Sequence, residues 1–158
     1  MIVRYPEMSE ARHPIVMLLG SYGPADARNW RAKAAAHLDG NAGTVVVGSP
    51  GFVDAGAGAL LSFARWASVW LEESDIFAMW IGSAEQWTEF EFGFALGRHR
   101  GYLVVGVSEE LANARRLLCD VTAALRYSTP IHEDFDEWLH AVRDACCRAR
   151  IYLAEGPK

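Results

Sequence analysis

Short unbroken apolar runs recur along this chain, each closed by glycine or a small polar residue, with amphipathic stretches of helix length between them. Ile15–Leu19 is the first such run and ends in Gly20-Ser21-Tyr22-Gly23-Pro24, the pattern of a buried strand and its turn. Asp26 is placed to cap a helix over Ala27–Leu38, with Trp30, Ala34 and Leu38 on one face. Asp39-Gly40-Asn41-Ala42-Gly43 supplies the glycines that end it. Thr44–Val47 reads as a second strand, closed by Gly48-Ser49-Pro50-Gly51. Phe52–Gly58 is rich in glycine and reads as a loop carrying Asp54, and a second helix follows over Ala59–Glu72. Ser74-Asp75 leads into a third strand, Ile76–Ile81, after which a helical pattern opens at Thr88 and runs to Leu96 or Arg98. Gly101 breaks to a fourth strand, Tyr102–Val107, and Ser108 is placed to cap a helix through about Leu118. Leu125–Tyr127 reads as a short fifth strand and Phe135–Tyr152 as an amphipathic final helix. Residues 1–13 read as an irregular lead-in and 153–158 as a frayed tail.

Strands alternating with helices at this spacing imply βαβ units, hence a single α/β domain over residues 1–158. The expected architecture is a Rossmann-like or flavodoxin-like parallel sheet of about five strands with helices on both faces. Ligands of such sheets bind outside the carboxyl ends of the strands. Three loops converge there: Gly20–Asp26, Ser49–Gly58 and Gly82–Thr88. Asp75 falls at the opposite edge, where capping a helix end or a turn is its expected role.

Composition narrows the function classes. With 51% hydrophobic and 22% charged residues, the 158-residue chain is an ordinary globular one with enough length for a sizeable core. A net charge of −5 and a pI near 5.5 lack the electrostatic footprint of a duplex nucleic-acid binder. Cys119, Cys146 and Cys147 have neither zinc spacing nor the even count of a secreted disulfide framework, so reduced thiols are expected. Residues 1–13 carry no signal-peptide pattern, and no apolar run approaches membrane-span length. The expectation is a cytoplasmic protein without a membrane partner. The five histidines show no metal spacing, and no metal or redox cofactor is implied.

The chemistry-bearing residues cluster at the expected ligand edge. Gly20, Ser21 and Gly23 precede a helix N-terminus, where backbone amides hold an anion or a sugar hydroxyl without a basic side chain. A plain turn explains the same residues equally well, since the dinucleotide and P-loop fingerprints are absent. Glu85, Glu89 and Glu91 follow the third strand amid Phe90, Phe92 and Phe94. A carboxylate in that first helical turn is desolvated by its apolar neighbours yet favoured as an anion by the helix terminus. Such a group suits nucleophilic attack on a sugar carbon. Capping of free amides accounts for Glu89 and Glu91 as well. Trp80 and Trp87 flank the loop and Tyr22 stands on the first one, as aromatics that stack on a flat base do. Trp30, Trp66 and Trp70 read more simply as core or interface residues.

Thr88-Glu89-Phe90-Glu91-Phe92-Gly93-Phe94-Ala95 resembles the T-x-x-E-x-G-x-A segment of the nucleoside 2-deoxyribosyltransferase superfamily, which includes relatives that hydrolyse nucleoside monophosphates. Leu18-Leu19-Gly20-Ser21, Trp30-Arg31 and Ser74-Asp75-Ile76 resemble further pieces of that family, so the likeness spans most of residues 15–107. It implies that Glu91 is the nucleophile that attacks the anomeric carbon, and that Glu85 orients or protonates the base. Gly20, Ser21, Tyr22, Ser83, Trp87 and Thr88 complete the candidate substrate site, and Asp54 joins it by its place in a loop on the ligand edge, where an aspartate serves solubility as readily as a ligand. The resemblance implies N-glycosidic cleavage or transfer on a (deoxy)nucleoside or nucleotide, through a covalent glycosyl-enzyme intermediate. It further implies a homodimer or higher homo-oligomer, with which the tryptophans of the second helix are compatible. Trp87 stands where a glycine is common, and the tail lacks the asparagine that typical transferases lend to a neighbouring subunit. Transfer and hydrolysis therefore both stay open. So does a different class, a nucleotide-binding sensor or partner-binding domain of the same fold without turnover.

Overall fold

The computed structural model describes residues 1–5, 7–20, 25–48, 56–82, 102–108, 111 and 130–155. In chain order these form β1 (Ile2–Arg4), β2 (Ile15–Gly20), α1 (Ala25–Leu38), β3 (Thr44–Val47), α2 (Gly56–Glu73), β4 (Ile76–Ile81), β5 (Tyr102–Val107), β6 (Ile131–His132) and α3 (Phe135–Glu155). The strands build one wholly parallel sheet in the order β1-β3-β2-β4-β5-β6. Every residue of β2 and β4 is buried. Both strands are interior and both sheet faces are covered, which is why they read as continuous apolar runs rather than alternating ones.

Alternate residues of each strand feed two separate cores. Ile15, Met17 and Leu19 of β2 and Phe77, Met79 and Ile81 of β4 face α2, meeting Phe63, Trp66, Trp70 and Leu71. Val16, Leu18, Ile76, Ala78 and Trp80 face the other way, against Trp30, Ala34 and Leu38 of α1 and Trp138, Val142 and Cys146 of α3. Helices thus cover both faces, as the sequence pattern predicts. Trp66 and Trp70 are 6% and 3% exposed, so they belong to this chain's own core and offer no assembly surface. Among the described residues, no helix is long and apolar enough to cross a membrane.

Among the described residues the sheet has six strands rather than about five, and β1 and β6 form its two edges. β1 occupies the expected lead-in. It pairs Ile2, Val3 and Arg4 with Val45, Val46 and Val47, and three residues are too few to leave a periodic signature. What fixes it is tertiary. Tyr5 meets Phe63 and Trp66 edge-on at 5.4 and 5.5 Å, and Trp66 Nε1 donates to the Glu7 carbonyl at 2.8 Å. At the far edge β6 lies at Ile131–His132, pairing with Val105 and Gly106. The strand expected at Leu125–Tyr127 falls outside the described residues, as do the helices expected from Thr88 and after Ser108.

Helix boundaries shift outward. α1 begins at Ala25, so Asp26 lies inside the helix instead of preceding it. α2 begins at Gly56, inside the glycine-rich stretch expected to be loop throughout. α3 continues to Glu155, beyond the expected end at Tyr152.

Candidate functional site

Apart from the edge strand β1, the sheet has the doubly wound order 2-1-3-4-5, in which chain direction reverses between β2 and β4. In doubly wound sheets such a switch point is where ligands bind, in a crevice outside the carboxyl ends of the two strands. Gly20 and Trp80 are register partners at that point, so the loops after Gly20 and after Gly82 start side by side.

Gly20 has no substitute here. Its φ is +124°, and a Cβ built on it would stand 2.0 Å from the Trp80 carbonyl oxygen. Its own carbonyl accepts a hydrogen bond from Arg31 Nη2 at 2.7 Å. Arg31 is only 4% exposed, with its guanidinium carbon 4.4 Å from the centroid of the Trp30 ring. α1 runs back from the end of β2, which brings its second turn beneath the strand terminus and sets a buried cation at the ligand edge of an acidic protein.

Two further positions complete the described rim. β4 and β5 pair through Ile81 and Val107, which sets Gly82 and Ser108 just beyond the last ladder partners. Ser108 N–H donates to the Ile81 carbonyl at 2.9 Å, and its own carbonyl accepts from Leu111 N–H at 2.9 Å. Ser108 Oγ is buried and has no hydrogen-bond partner among the described residues, and the helix it is expected to cap falls outside them. An orphaned buried hydroxyl costs about 1–3 kcal/mol.

Of the expected site residues, Gly20 stands at the switch point. Ser21, Tyr22, Asp54, Ser83, Glu85, Trp87, Thr88 and Glu91 lie outside the described residues, as does Glu89. Trp80 lines neither of the described pockets. It is 8% exposed and packs under α3, with ring centroids 5.0 Å from Phe135 and 5.5 Å from Trp138. The parity of β4 decides this, because Trp80 shares the face of Ile76 and Ala78.

Asp75 is structural, as expected from its edge, although by a different bond. Its Oδ2 accepts from Ile15 N–H at 2.7 Å and lies 2.7 Å from His13 Nδ1, pinning the amino ends of β2 and β4 together instead of capping α2. A cavity of about 340 Å³ opens at that same amino edge, lined by Glu72, Asp75, Tyr102 and Tyr152 among others. It lies at the opposite end of the strands from the crevice.

Arg31 and Ser108 are the site positions that residue-level reasoning missed. An arginine directly after a core tryptophan, in an alanine-rich turn, is the signal that could have found Arg31. Ser108 offers none, since a serine after a strand reads as a cap. Comparison with protein-family models and with curated proteins returns no match.

Proposed function

We propose that this protein cleaves or exchanges the N-glycosidic bond of a (deoxy)nucleoside or nucleotide, with Glu91 as nucleophile. The observation that carries this is the strand order. The chain leaves β2 at Gly20 and β4 at Gly82 from adjacent strand ends, and in the sequence the T-x-x-E-x-G-x-A pattern follows the second of these. The buried Arg31 guanidinium donates to the Gly20 carbonyl and so helps to fix the end of β2, where the loop after Gly20 begins.

A Glu91 carboxylate oxygen bonds to the anomeric carbon while the bond from that carbon to the base nitrogen breaks. The departing electron pair leaves with the base, which takes a proton from Glu85 or Asp54. Water, or the nitrogen of a second base, then loses its proton to the same carboxylate, attacks the anomeric carbon and frees Glu91. Gly20, Ser21 and Tyr22 hold the sugar or a 5′-phosphate, while Ser83, Trp87 and Thr88 border the base. No metal or redox cofactor takes part. A cytoplasmic homodimer or higher homo-oligomer goes with this chemistry.

Base release from a panel of nucleosides and 5′-nucleotides, followed by chromatography with and without an acceptor base, tests the proposal. Wild type is expected to release base from at least one member and Glu91→Gln to release none. A sugar adduct trapped on Glu91 and seen by mass spectrometry would identify the nucleophile directly. Undiminished release by Glu91→Gln overturns its role. Binding of a panel member without any release points instead to a nucleotide sensor.

A further inference from the structure

We infer that Ser108 is a ligand-binding residue of the same crevice, its hydroxyl reserved for a neutral hydrogen-bonding group of the bound nucleoside. This rests on the glycosidic proposal for the identity of the ligand, and on independent geometry for the residue. Three observations converge on the hydroxyl. It lies at the carboxyl end of β5, the strand beside β4, on the edge where doubly wound sheets take their ligands. Its backbone is held rigidly there: the Ser108 amide adds one more bond to the β4 ladder through Ile81, and Leu111 N–H closes a turn on its carbonyl. Its Oγ is buried with no hydrogen-bond partner among the described residues.

Buried hydroxyls in folded proteins almost always find a partner, and exceptions call for an ordered water or a function. A fixed, desolvated and unsatisfied hydroxyl is preorganised for a partner that arrives with the ligand. Serine is uncharged and both donates and accepts. On a nucleoside the groups that match it are a sugar hydroxyl or a polar base edge.

Ser108→Ala separates a ligand role from a structural one, because removing an unsatisfied buried hydroxyl leaves the fold unharmed. The variant is expected to keep a Tm equal to or above wild type. KM for the panel substrate should rise roughly three- to tenfold, the worth of one neutral hydrogen bond, with kcat unchanged because the bond is made in ground and transition states alike. The panel holds the common ribonucleosides, the matching 2′-deoxyribonucleosides and their 5′-monophosphates. A KM penalty confined to ribonucleosides assigns the partner to the 2′-hydroxyl, and an equal penalty in both series assigns it to another sugar hydroxyl or the base.

An unchanged KM overturns the role of Ser108, shows that ordinary water satisfies the hydroxyl, and leaves glycosidic chemistry standing. A Tm lowered by several degrees overturns it too, since the hydroxyl then serves the fold. Where wild type binds a panel member without releasing base, glycosidic chemistry falls, and a Kd weakened by the same factor in Ser108→Ala still upholds the binding role. Binding of no panel member by wild type overturns both.

Discussion

Arg31 Nη2 and the carbonyl oxygen of Gly20, eleven residues apart, meet at 2.7 Å and tie the second turn of α1 to the end of β2. The guanidinium is buried and lies over the Trp30 ring, so its planar fork is held in one orientation by the Gly20 carbonyl and the indole. Lysine keeps the charge but neither the fork nor the stack. Arg31→Lys is expected to lose about 1.5–3 kcal/mol, the range for a hydrogen bond involving a charged group. Urea unfolding followed by circular dichroism measures this, and a lysine variant as stable as wild type would show that only the charge matters.

Gly106 and Trp80 form a second interlocked pair, one layer inside the crevice. A Cβ on Gly106 would stand 2.3 Å from Trp80 Cε3 and 2.8 Å from Trp138 Cδ1, so the indoles occupy the space a side chain would need. Gly106→Ala is expected to cost about 1–3 kcal/mol by overpacking. Trp80→Leu opens a cavity by itself, yet combined with Gly106→Ala it should lose less than the sum of the single changes. A double-mutant cycle in chemical denaturation supplies the coupling. Strict additivity would mean that the two side chains do not compete for this volume.

These pairs also explain what was legible in the sequence. Ile15–Leu19, Thr44–Val47, Ile76–Ile81 and Tyr102–Val107 announce themselves because interior parallel strands must be apolar on both faces. β1 and β6 carry no such signature, being short edge strands whose existence depends on neighbours distant in sequence. Trp80 was misjudged because proximity along the chain to a candidate loop says nothing about which face a residue presents. One residue of parity sends it to the core beneath α3. Gly20 was recognisable as a turn glycine, whereas its contact with Arg31 needs a helix folded back on a strand. The orphaned hydroxyl of Ser108 is a property of three-dimensional burial and has no trace in sequence spacing.

Asp75 joins strands at the edge opposite the crevice, so its loss should separate stability from activity. Ile15 is 1% exposed, and removing the carboxylate leaves its amide without the 2.7 Å acceptor. Asp75→Ala is expected to cost about 1–3 kcal/mol, and Asp75→Asn less, because the amide oxygen still accepts one bond. Base-release rates at temperatures where both variants are folded should match wild type. A rate falling with the denaturation midpoint already corrected for would place Asp75 in the site after all.

Cys146 makes stability sensitive to alkali. Its side chain is fully buried in the core between α3 and the sheet, whereas Cys147, one residue on, is exposed. Burial pushes the Cys146 thiol up from 9.0 to about 11, with Arg150 opposing the shift and Cys147 adding to it. Between these values the unfolded chain has released the proton and the folded chain still holds it. The folded state then binds more protons, and stability falls as pH rises. The contribution is whole below pH 9.0 and is lost on rising through about 11, a span worth roughly 2–3 kcal/mol at about 1.4 kcal/mol per unit. Cys146→Ala removes the titrating group and leaves a small cavity whose cost does not depend on pH. Urea midpoints should therefore show the variant less stable than wild type at pH 8, with the gap closing or reversing near pH 10.5. Parallel pH profiles for the two proteins would mean that the thiol does not titrate differently on unfolding, and that groups common to both proteins set the alkaline limit.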